Sequence, residues 1–251
     1  MTENPLMKGK VAVVTGGGGG IGSAICLRLA QAGASVVLTY RQSKDKTEAV
    51  ARSLPGESHL VIKAPVDDSQ ALTRLAEQIA EKHGTVDLLV NNAGITRPVP
   101  HDDLDGLDDA LIDSLFRTNW RGAFASIRAL KNLLQNGAGG VVINISSIAG
   151  ATGIGSNVAY CASKAAMNAM TISLGRALAP RIRVVSVSPG WVFGEYAKKA
   201  DPAYLQEQID KTPLGRLATA EDVAETVLAV ATMMPFTTGC IIPVDGGRPF
   251  V

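Results

Sequence analysis

The chain alternates short apolar runs, rich in β-branched residues, with longer stretches in which apolar residues recur every three or four positions. Near-continuous apolar runs are typical of strands covered on both faces, and apolar residues at every third or fourth position are typical of helices. The runs predict strands at residues 11–15, 35–40, 59–64, 87–91, 141–146, 182–188 and 240–244. The spacing predicts helices at residues 21–32, 44–53, 69–82, 107–135, 158–179 and 220–234.

This alternation predicts an α/β fold. A strand followed by a helix and another strand favours a right-handed crossover, and a series of crossovers builds a doubly wound parallel sheet of about seven strands flanked by helices. No linker or shift in composition divides the chain, so residues 1–251 are interpreted as a single domain. Residues 191–213 fit neither pattern, and long irregular segments of this kind are often lids or binding loops.

Composition narrows the function. The chain has 251 residues, of which 46% are hydrophobic, enough for a large core. A net charge of +1 gives no field that recruits nucleic acid or an anionic membrane. Three scattered cysteines favour a reducing compartment, residues 1–10 lack the apolar core of a signal peptide, and the three histidines lack metal-ligand spacing. We therefore expect a cytoplasmic protein with no nucleic-acid partner, membrane or metal.

A run of five glycines follows the first predicted strand and opens the first predicted helix, the context in which a glycine-rich turn binds a dinucleotide. Glycines let the backbone approach a pyrophosphate, and the helix N-terminus supplies amide donors and a partial positive charge. Two registers are open. Gly17, Gly19 and Gly22 match the common spacing, whereas Gly16, Gly20 and Gly22 match a wider one.

Tyr160 and Lys164 lie four residues apart in a predicted helix, so their side chains leave the same face one turn apart. A nearby ammonium favours the phenolate and lowers the tyrosine pKa from its usual value of about 10. Such a pair can act as a general acid and base near neutral pH. Together with the glycine turn, it predicts an oxidoreductase.

The glycine turn and the Tyr160–Lys164 pair belong to a longer series of motifs along the chain. They are the wider glycine spacing, Asn91-Asn92-Ala93-Gly94, Asn119, Ile145-Ser146-Ser147, Tyr160 with Lys164, Ser188-Pro189-Gly190 and Val244-Asp245-Gly246-Gly247. The set resembles the short-chain dehydrogenase/reductase family, and in particular its 3-oxoacyl-carrier-protein reductases. The resemblance implies a single-domain Rossmann fold and an NAD(P)-dependent enzyme acting on CH–OH groups.

The resemblance also implies four catalytic residues. Tyr160 would exchange a proton with the substrate oxygen, and Ser147 would bind that same oxygen. Lys164 would lower the pKa of Tyr160 and hydrogen-bond the nicotinamide ribose. Asn119 would anchor a water molecule that relays protons to Lys164. Ser146 is the weaker partner for the oxygen, because alternation along a strand directs it elsewhere.

A larger set would bind the cofactor. It comprises Gly16, Gly20, Ile21, Gly22, Tyr40, Arg41, Val66, Asn91, Ala93, Gly94, Tyr160, Lys164, Pro189, Gly190 and Val192. Asn91 and Gly94 would shape the edge of the adenine-ribose pocket. Pro65 stands where the family often has an acidic residue, so the adenine contact would fall to the backbone at Val66 or to Asp67.

The end of the second predicted strand favours NADP(H) over NAD(H). NAD enzymes of this fold carry a carboxylate there for the ribose 2′-hydroxyl, whereas this chain has Tyr40 followed by Arg41. A guanidinium can bind a 2′-phosphate through two hydrogen bonds. If Arg41 is only a solvated loop residue, the preference stays open.

Three functions remain at this point. The leading one is hydride transfer between NADP(H) and a ketone or secondary alcohol, with Tyr160 as general acid and base. An NAD-dependent sugar or polyol dehydrogenase is the alternative, and a non-catalytic nucleotide sensor is disfavoured because the four catalytic residues are intact. The small-molecule substrate is free or carried by an acidic carrier protein; residues 133–140, where basic docking residues would be expected, contain no Arg or Lys.

Small residues along the helix that carries Tyr160, and an apolar stripe along the predicted helix 107–135, favour close helix pairing between copies of the chain. Tetramers with two-fold symmetry are common in the family. We therefore expect a homotetramer, with a dimer as the second choice.

Overall fold

The computed structural model describes residues 6–194 and 201–248. Within these residues, seven strands form one sheet in the order β3-β2-β1-β4-β5-β6-β7, and every neighbouring pair is parallel. The strands are β1 (Val11–Val14), β2 (Ser35–Tyr40), β3 (Leu60–Lys63), β4 (Leu88–Asn91), β5 (Gly140–Ile145), β6 (Ile182–Pro189) and β7 (Ile241–Val244). The predicted doubly wound α/β fold is confirmed, whereas the single-domain division stays a prediction.

Helices connect the strands. They are α1 (Gly20–Gln31), α2 (Lys44–Ser53), α3 (Ser69–His83), α4 (Asp109–Leu115), α5 (Gly122–Gln135), α6 (Ala149–Thr152), α7 (Val158–Ala177), α8 (Pro202–Asp210) and α9 (Ala220–Thr232), with a π-helical segment (Phe116–Arg121) between α4 and α5. None of the helices described is long and apolar enough to cross a membrane.

Strand β1 illustrates why near-continuous apolar runs form this sheet, because all four of its residues are buried. Ala12 and Val14 pack in a cluster with side chains of α1 and α9, whereas Val11 and Val13 pack with α3 and α5 on the opposite face. Each fully buried valine side chain contributes about 1.5–3 kcal/mol. A polar residue on either face would lose that contribution.

The single helix predicted for residues 107–135 is wrong. The structure divides it into α4, the π-helical segment Phe116–Arg121 and α5. A π-helical turn accommodates an extra residue without breaking the helix, and such turns are frequent at functional sites. Apolar spacing does not reveal it, since the residues on both sides remain helical. Asn119 lies within this segment.

The interpretation of residues 191–213 as wholly irregular is also wrong, because α8 lies within them. The carboxylate of Asp201 accepts hydrogen bonds from the backbone N–H groups of Ala203 (2.8 Å) and Tyr204 (3.3 Å), and Pro202 occupies the first helical turn. An Asp–Pro pair is a sequence signal for a helix start. Residues 195–200 of the expected lid lie outside the described residues.

The sheet order creates a crevice. Strand β1 lies between β2 and β4, so the connections from β1 and from β4 leave in opposite directions at the carboxyl ends of the strands. Ligands of open α/β sheets bind at such a switch point. The glycine turn follows β1, and Asn92 to Gly94 follow β4 at the same edge.

Candidate active site

The glycine turn joins β1 to α1. Gly16 (φ +69°) and Gly20 (φ +51°) adopt the left-handed region that favours glycine. A Cβ on Gly22 would lie 2.3 Å from the carbonyl oxygen of Gly16. Gly19 has an extended backbone (φ −174°) and open space around its would-be Cβ. The wider spacing is therefore the one in which all three glycines are required by the turn.

Thr15 and Asn92 lock this turn to the segment after β4. The buried hydroxyl of Thr15 accepts hydrogen bonds from the N–H groups of Asn92 and Ala93, both at 3.0 Å. The side-chain amide of Asn92 donates to the carbonyl oxygens of Thr15 (3.0 Å) and Gly16 (3.1 Å). Sequence reasoning missed both residues, although Thr15 directly precedes the glycines and Asn92 is the second residue of a quoted motif.

A cavity of about 520 Å³ opens beside the turn. Six of the predicted cofactor residues line it, namely Gly16, Tyr40, Arg41, Val66, Ala93 and Gly94. Asp67 also lines it, as does Lys46, which was not predicted. Arg41 and Lys46 give this end of the cavity two exposed cations. Lys46 lies in the first turn of α2, and no sequence motif marks it. Its place in the cavity lining beside Arg41 identifies it as a candidate anion-binding residue.

The side chain of Asn91 does not line either cavity in the described structure, and its expected role at the pocket edge stays a prediction. It is 3% exposed, and its amide donates to the Oδ1 atom of Asn144 on β5 at 2.8 Å. Successive side chains point to opposite sides, so Asn92 faces the cavities instead. Asn91 thus ties β4 to β5 beneath the site.

Gly20 and Gly22 also lie off the cavity walls and shape the turn.

A second cavity, of about 290 Å³, adjoins the first and shares Asn92, Gly94 and Ile95 with it. Seven further predicted residues meet here: Ser147, Tyr160, Lys164, Ile21, Pro189, Gly190 and Val192. They come from α1, from α7 and from the segments at the carboxyl ends of β5 and β6, which are distant in sequence.

Lys164 is 5% exposed and donates from Nζ to the carbonyl oxygen of Ile145 at 2.8 Å. Burial lowers the pKa of its ammonium to about 8. That shift from 10.5 corresponds to about 3 kcal/mol against the charged form, yet the group remains mostly protonated at neutral pH. Its Nζ lies 5.8 Å from the centroid of the Tyr160 ring.

The expectation that the Tyr160 pKa lies below its usual value is wrong for this structure, because its net shift is upward. Burial raises the pKa of Tyr160 above its usual value, and a hydrogen bond with the Ser147 side chain offsets this only in part. The Lys164 ammonium is directed at the Ile145 carbonyl, while the phenolate would lose its hydration on burial. Tyr160 is therefore held in its protonated form, as an acid beside the Ser147 hydroxyl.

Asn119 is fully buried and lines neither cavity in the described structure. Its Oδ1 accepts from the N–H of Ile95 (2.9 Å), and its Nδ2 donates to the Ile95 carbonyl (3.1 Å) and to the Ser163 hydroxyl (3.1 Å). The side chain thus holds the wall that both cavities share. A water molecule relaying protons from Asn119 to Lys164 stays a prediction.

Ser146 and Ser147 diverge at the end of β5. Ser146 is buried and donates to Oδ1 of Asn168 at 2.7 Å. Ser147 is partly exposed, accepts from the N–H of Ala149 at 3.2 Å and reaches Tyr160. Both line the smaller cavity, but Ser147 is the one whose hydroxyl pairs with the phenol.

The chain is similar to known proteins over almost its whole length. A family model described as enoyl-(acyl carrier protein) reductase matches residues 16–248. A protein assigned as ketoacyl reductase 2 of the granaticin polyketide synthase of Streptomyces violaceoruber is 36% identical over 240 residues, covering 94% of this chain and 95% of its own. The chain belongs to the short-chain dehydrogenase/reductase family. The predicted resemblance is confirmed.

Two further similar proteins support the assignment of the chain to the short-chain dehydrogenase/reductase family. The 3-oxoacyl-(acyl-carrier-protein) reductase FabG of Staphylococcus aureus (strain Mu50) is 34% identical, with 95% of this chain and 97% of its own covered. A crystal structure from Burkholderia xenovorans, assigned to the same family, superposes with a TM-score of 0.89 at 33% identity, covering 96% of this chain and 98% of that one. The protein is therefore an oxidoreductase acting on CH–OH groups.

In this short-chain dehydrogenase/reductase, the smaller cavity can do acid–base chemistry on an oxygen atom. The Tyr160 phenol and the Ser147 hydroxyl both offer hydrogen bonds, and the Lys164 ammonium is close by in a dry environment. Preorganised donors in a site of low dielectric stabilise a developing oxyanion strongly. The larger cavity, with its glycine turn and two cations, suits an elongated anion.

Proposed function

We propose that the protein interconverts a ketone and a secondary alcohol by hydride transfer with NADP(H), with Tyr160 as general acid and base. One observation carries the proposal: the Tyr160–Ser147 pair and the buried Lys164 ammonium line a cavity that shares a wall with the glycine-turn cavity. The shared wall brings an oxygen-protonating site and a dinucleotide site into contact.

The glycine turn supports the cofactor part of this proposal. A Cβ on Gly22 would fill the space between Gly16 and Asn92, so the backbone there is already in the compact form that a pyrophosphate requires. The amide groups at the start of α1 would hold the pyrophosphate, and Arg41 with Lys46 would hold a 2′-phosphate. When bound, the nicotinamide supplies or accepts the hydride.

The residues of the smaller cavity would handle the proton. In reduction, Ser147 would orient the carbonyl oxygen and the protonated Tyr160 would donate its proton to that oxygen. Lys164 would stabilise the negative charge that remains on the phenol oxygen. These donors address an oxygen, which is the atom that takes up the proton when a ketone is reduced.

The basic residues nearest the expected carrier-docking area favour a free substrate. Arg181 donates to the carbonyl oxygens of Gln135 and Gly137. Arg183 donates to carbonyl oxygens at the end of α9 and in the loop beyond it. Both guanidiniums are thus engaged within the chain. We propose a small or mid-sized carbonyl compound, with a carrier-bound 3-oxoacyl group as the second candidate, since the relative named FabG is a 3-oxoacyl-(acyl-carrier-protein) reductase.

The proposal is tested by a panel of ketones, secondary alcohols, polyols and 3-oxoacyl thioesters, the thioesters both free and carrier-bound. Each is assayed with both cofactors by the absorbance of the reduced nicotinamide. Turnover of ketones with NADPH supports the proposal, and a strong preference for carrier-bound thioesters supports the second candidate. Oxidation of polyols with NAD⁺ alone, or NADPH binding without any turnover, would reject both.

Replacing Tyr40 with aspartate and Arg41 with alanine is expected to move the preference toward NADH by about 100-fold or more. The carboxylate would repel the 2′-phosphate, and the guanidinium that pairs with it would be lost. Comparing kcat/KM for the two cofactors measures the change. Arg52→Ala is the control, because Arg52 lies on α2 outside both cavity linings in the described structure. A wild type that already prefers NADH would show the assignment of Arg41 to be wrong.

We propose that the protein is a homotetramer. Ala162, Ala165 and Ala169 form an exposed row of small side chains on α7, which allows a second helix to approach closely. Ala159 does not belong to this row, because it is buried within the chain. Sedimentation velocity at micromolar concentration should give four times the mass of one chain; a dimer would leave only one of the expected interfaces, and a monomer would refute the proposal.

A further inference from the structure

The hydroxyl of Ser163 lies between two of the catalytic elements. Ser163 is fully buried, one residue before Lys164 on α7. Its Oγ donates to the backbone carbonyl of Tyr160 (2.8 Å) and accepts from Nδ2 of Asn119 (3.1 Å). A hydroxyl has a single hydrogen, and the Tyr160 carbonyl takes it, so the lone pairs of Ser163 face Asn119.

Through this contact Ser163 accepts the second amide hydrogen of Asn119 and, together with Ile95, holds the Asn119 carboxamide in one orientation. The two amide hydrogens of Asn119 go to the Ser163 hydroxyl and to the Ile95 carbonyl, while its oxygen accepts the Ile95 N–H. A carboxamide turned the other way would direct its oxygen at the Ile95 carbonyl, an acceptor at an acceptor. Only one orientation satisfies all three bonds, and it holds both polar backbone groups of Ile95.

Ile95 and Gly94 belong to the wall shared by the two cavities. A Cβ on Gly94 would lie 3.4 Å from Oδ1 of Asn119 and 3.8 Å from Nζ of Lys164. The Asn119 carboxamide oxygen and the Lys164 ammonium therefore both lie close to the face of Gly94 on which a Cβ would stand. A change in the carboxamide would move the wall relative to Lys164.

We infer that Ser163 is a positioning residue, which acts through Asn119 to hold residues 94 and 95 against Lys164 and the nucleotide. Its effect on turnover rests on the proposed function, but its effect on the wall does not. The contact is made from the π-helical segment, since Asn119 lies within it and Ser163 lies on α7.

The test compares Ser163→Ala with Ser126→Ala. Ser126 is a matched control, because it is also fully buried and its hydroxyl donates to the carbonyl of its own helix, on Gly122, at 2.9 Å. Ser163→Ala should lower NADPH affinity and kcat/KM by about tenfold each, the effect of one buried hydrogen bond, whereas Ser126→Ala should change neither by more than about twofold. Ser163→Thr, which keeps the hydroxyl, should restore most of the loss.

Two further measurements separate positioning from general destabilisation. The Ile95 N–H donates to the Asn119 side chain. Its hydrogen exchange should accelerate in Ser163→Ala and not in Ser126→Ala, whether or not any ligand binds. In the Asn119→Ala background, Ser163→Ala should have no further effect. Unchanged exchange at Ile95, or additive losses in the double variant, would overturn the inference. An enzyme without turnover but with accelerated exchange would overturn the proposed function alone.

Discussion

Replacing Tyr160 with phenylalanine is expected to lower turnover by about 10³-fold, the contribution of a positioned general acid, while NADPH affinity changes by less than about threefold. The phenol hydroxyl is the group proposed to move the proton, and Ser147, whose side chain pairs with it, has no comparable acidity. The phenyl ring retains the packing of the original side chain against Lys164.

Single-turnover rates with saturating NADPH measure this effect directly. Tyr204→Phe is the control: Tyr204 is 45% exposed, packs edge-on against Trp191, and is absent from both cavity linings in the described structure. It should retain the wild-type rate. If Tyr160→Phe keeps more than about a tenth of that rate, another group donates the proton and the assignment is wrong.

Replacing Gly22 with alanine is expected to abolish measurable NADPH binding and to destabilise the fold by about 1–3 kcal/mol. The added Cβ would lie 2.3 Å from the carbonyl oxygen of Gly16 and 2.6 Å from Nδ2 of Asn92. Both atoms take part in the hydrogen bond that locks the turn to the segment after β4. To relieve the clash, the two atoms must move apart, which breaks the hydrogen bond between Asn92 and Gly16.

Gly19→Ala is the matched substitution, because Gly19 has an extended backbone and no heavy atom within 4 Å of its would-be Cβ. It should keep NADPH affinity within about threefold. Nucleotide titration and thermal unfolding of both variants distinguish the outcomes. Equal losses at Gly19 and Gly22 would favour the narrower glycine spacing, and normal binding by Gly22→Ala would move the nucleotide away from this turn.

The sheet could be predicted because its strands are buried on both faces. Nearly every residue of such a strand is apolar, and a short unbroken apolar run such as residues 11–14 is typical of a strand in a parallel sheet. The π-helical segment could not, since an inserted residue leaves the apolar positions on either side in helical register. The first turn of α8 carried a signal in Asp201 and Pro202, but the aromatic residues around it suggested a loop.

In the candidate site too, some features could be predicted from the sequence and others could not. The pairing of Tyr160 and Lys164 follows from the geometry of one helix, so four-residue spacing predicts it. The direction of the Tyr160 pKa does not, because it depends on burial by elements far away in sequence. Likewise, Asn91 and Asn92 are equivalent in the sequence, and only the pairing of β4 with β5 decides which one turns inward.

Hydride transfer to a ketone is tested most directly with NADPH deuterated at the transferable position of the nicotinamide. After incubation of the wild-type protein with a ketone from the panel that is turned over, mass spectrometry of the alcohol should find one deuterium on the carbinol carbon. The same reaction with unlabelled NADPH in deuterated water should leave that carbon unlabelled. Alcohol formed without deuterium from the labelled cofactor, or with deuterium taken from the solvent, would contradict hydride transfer at this site.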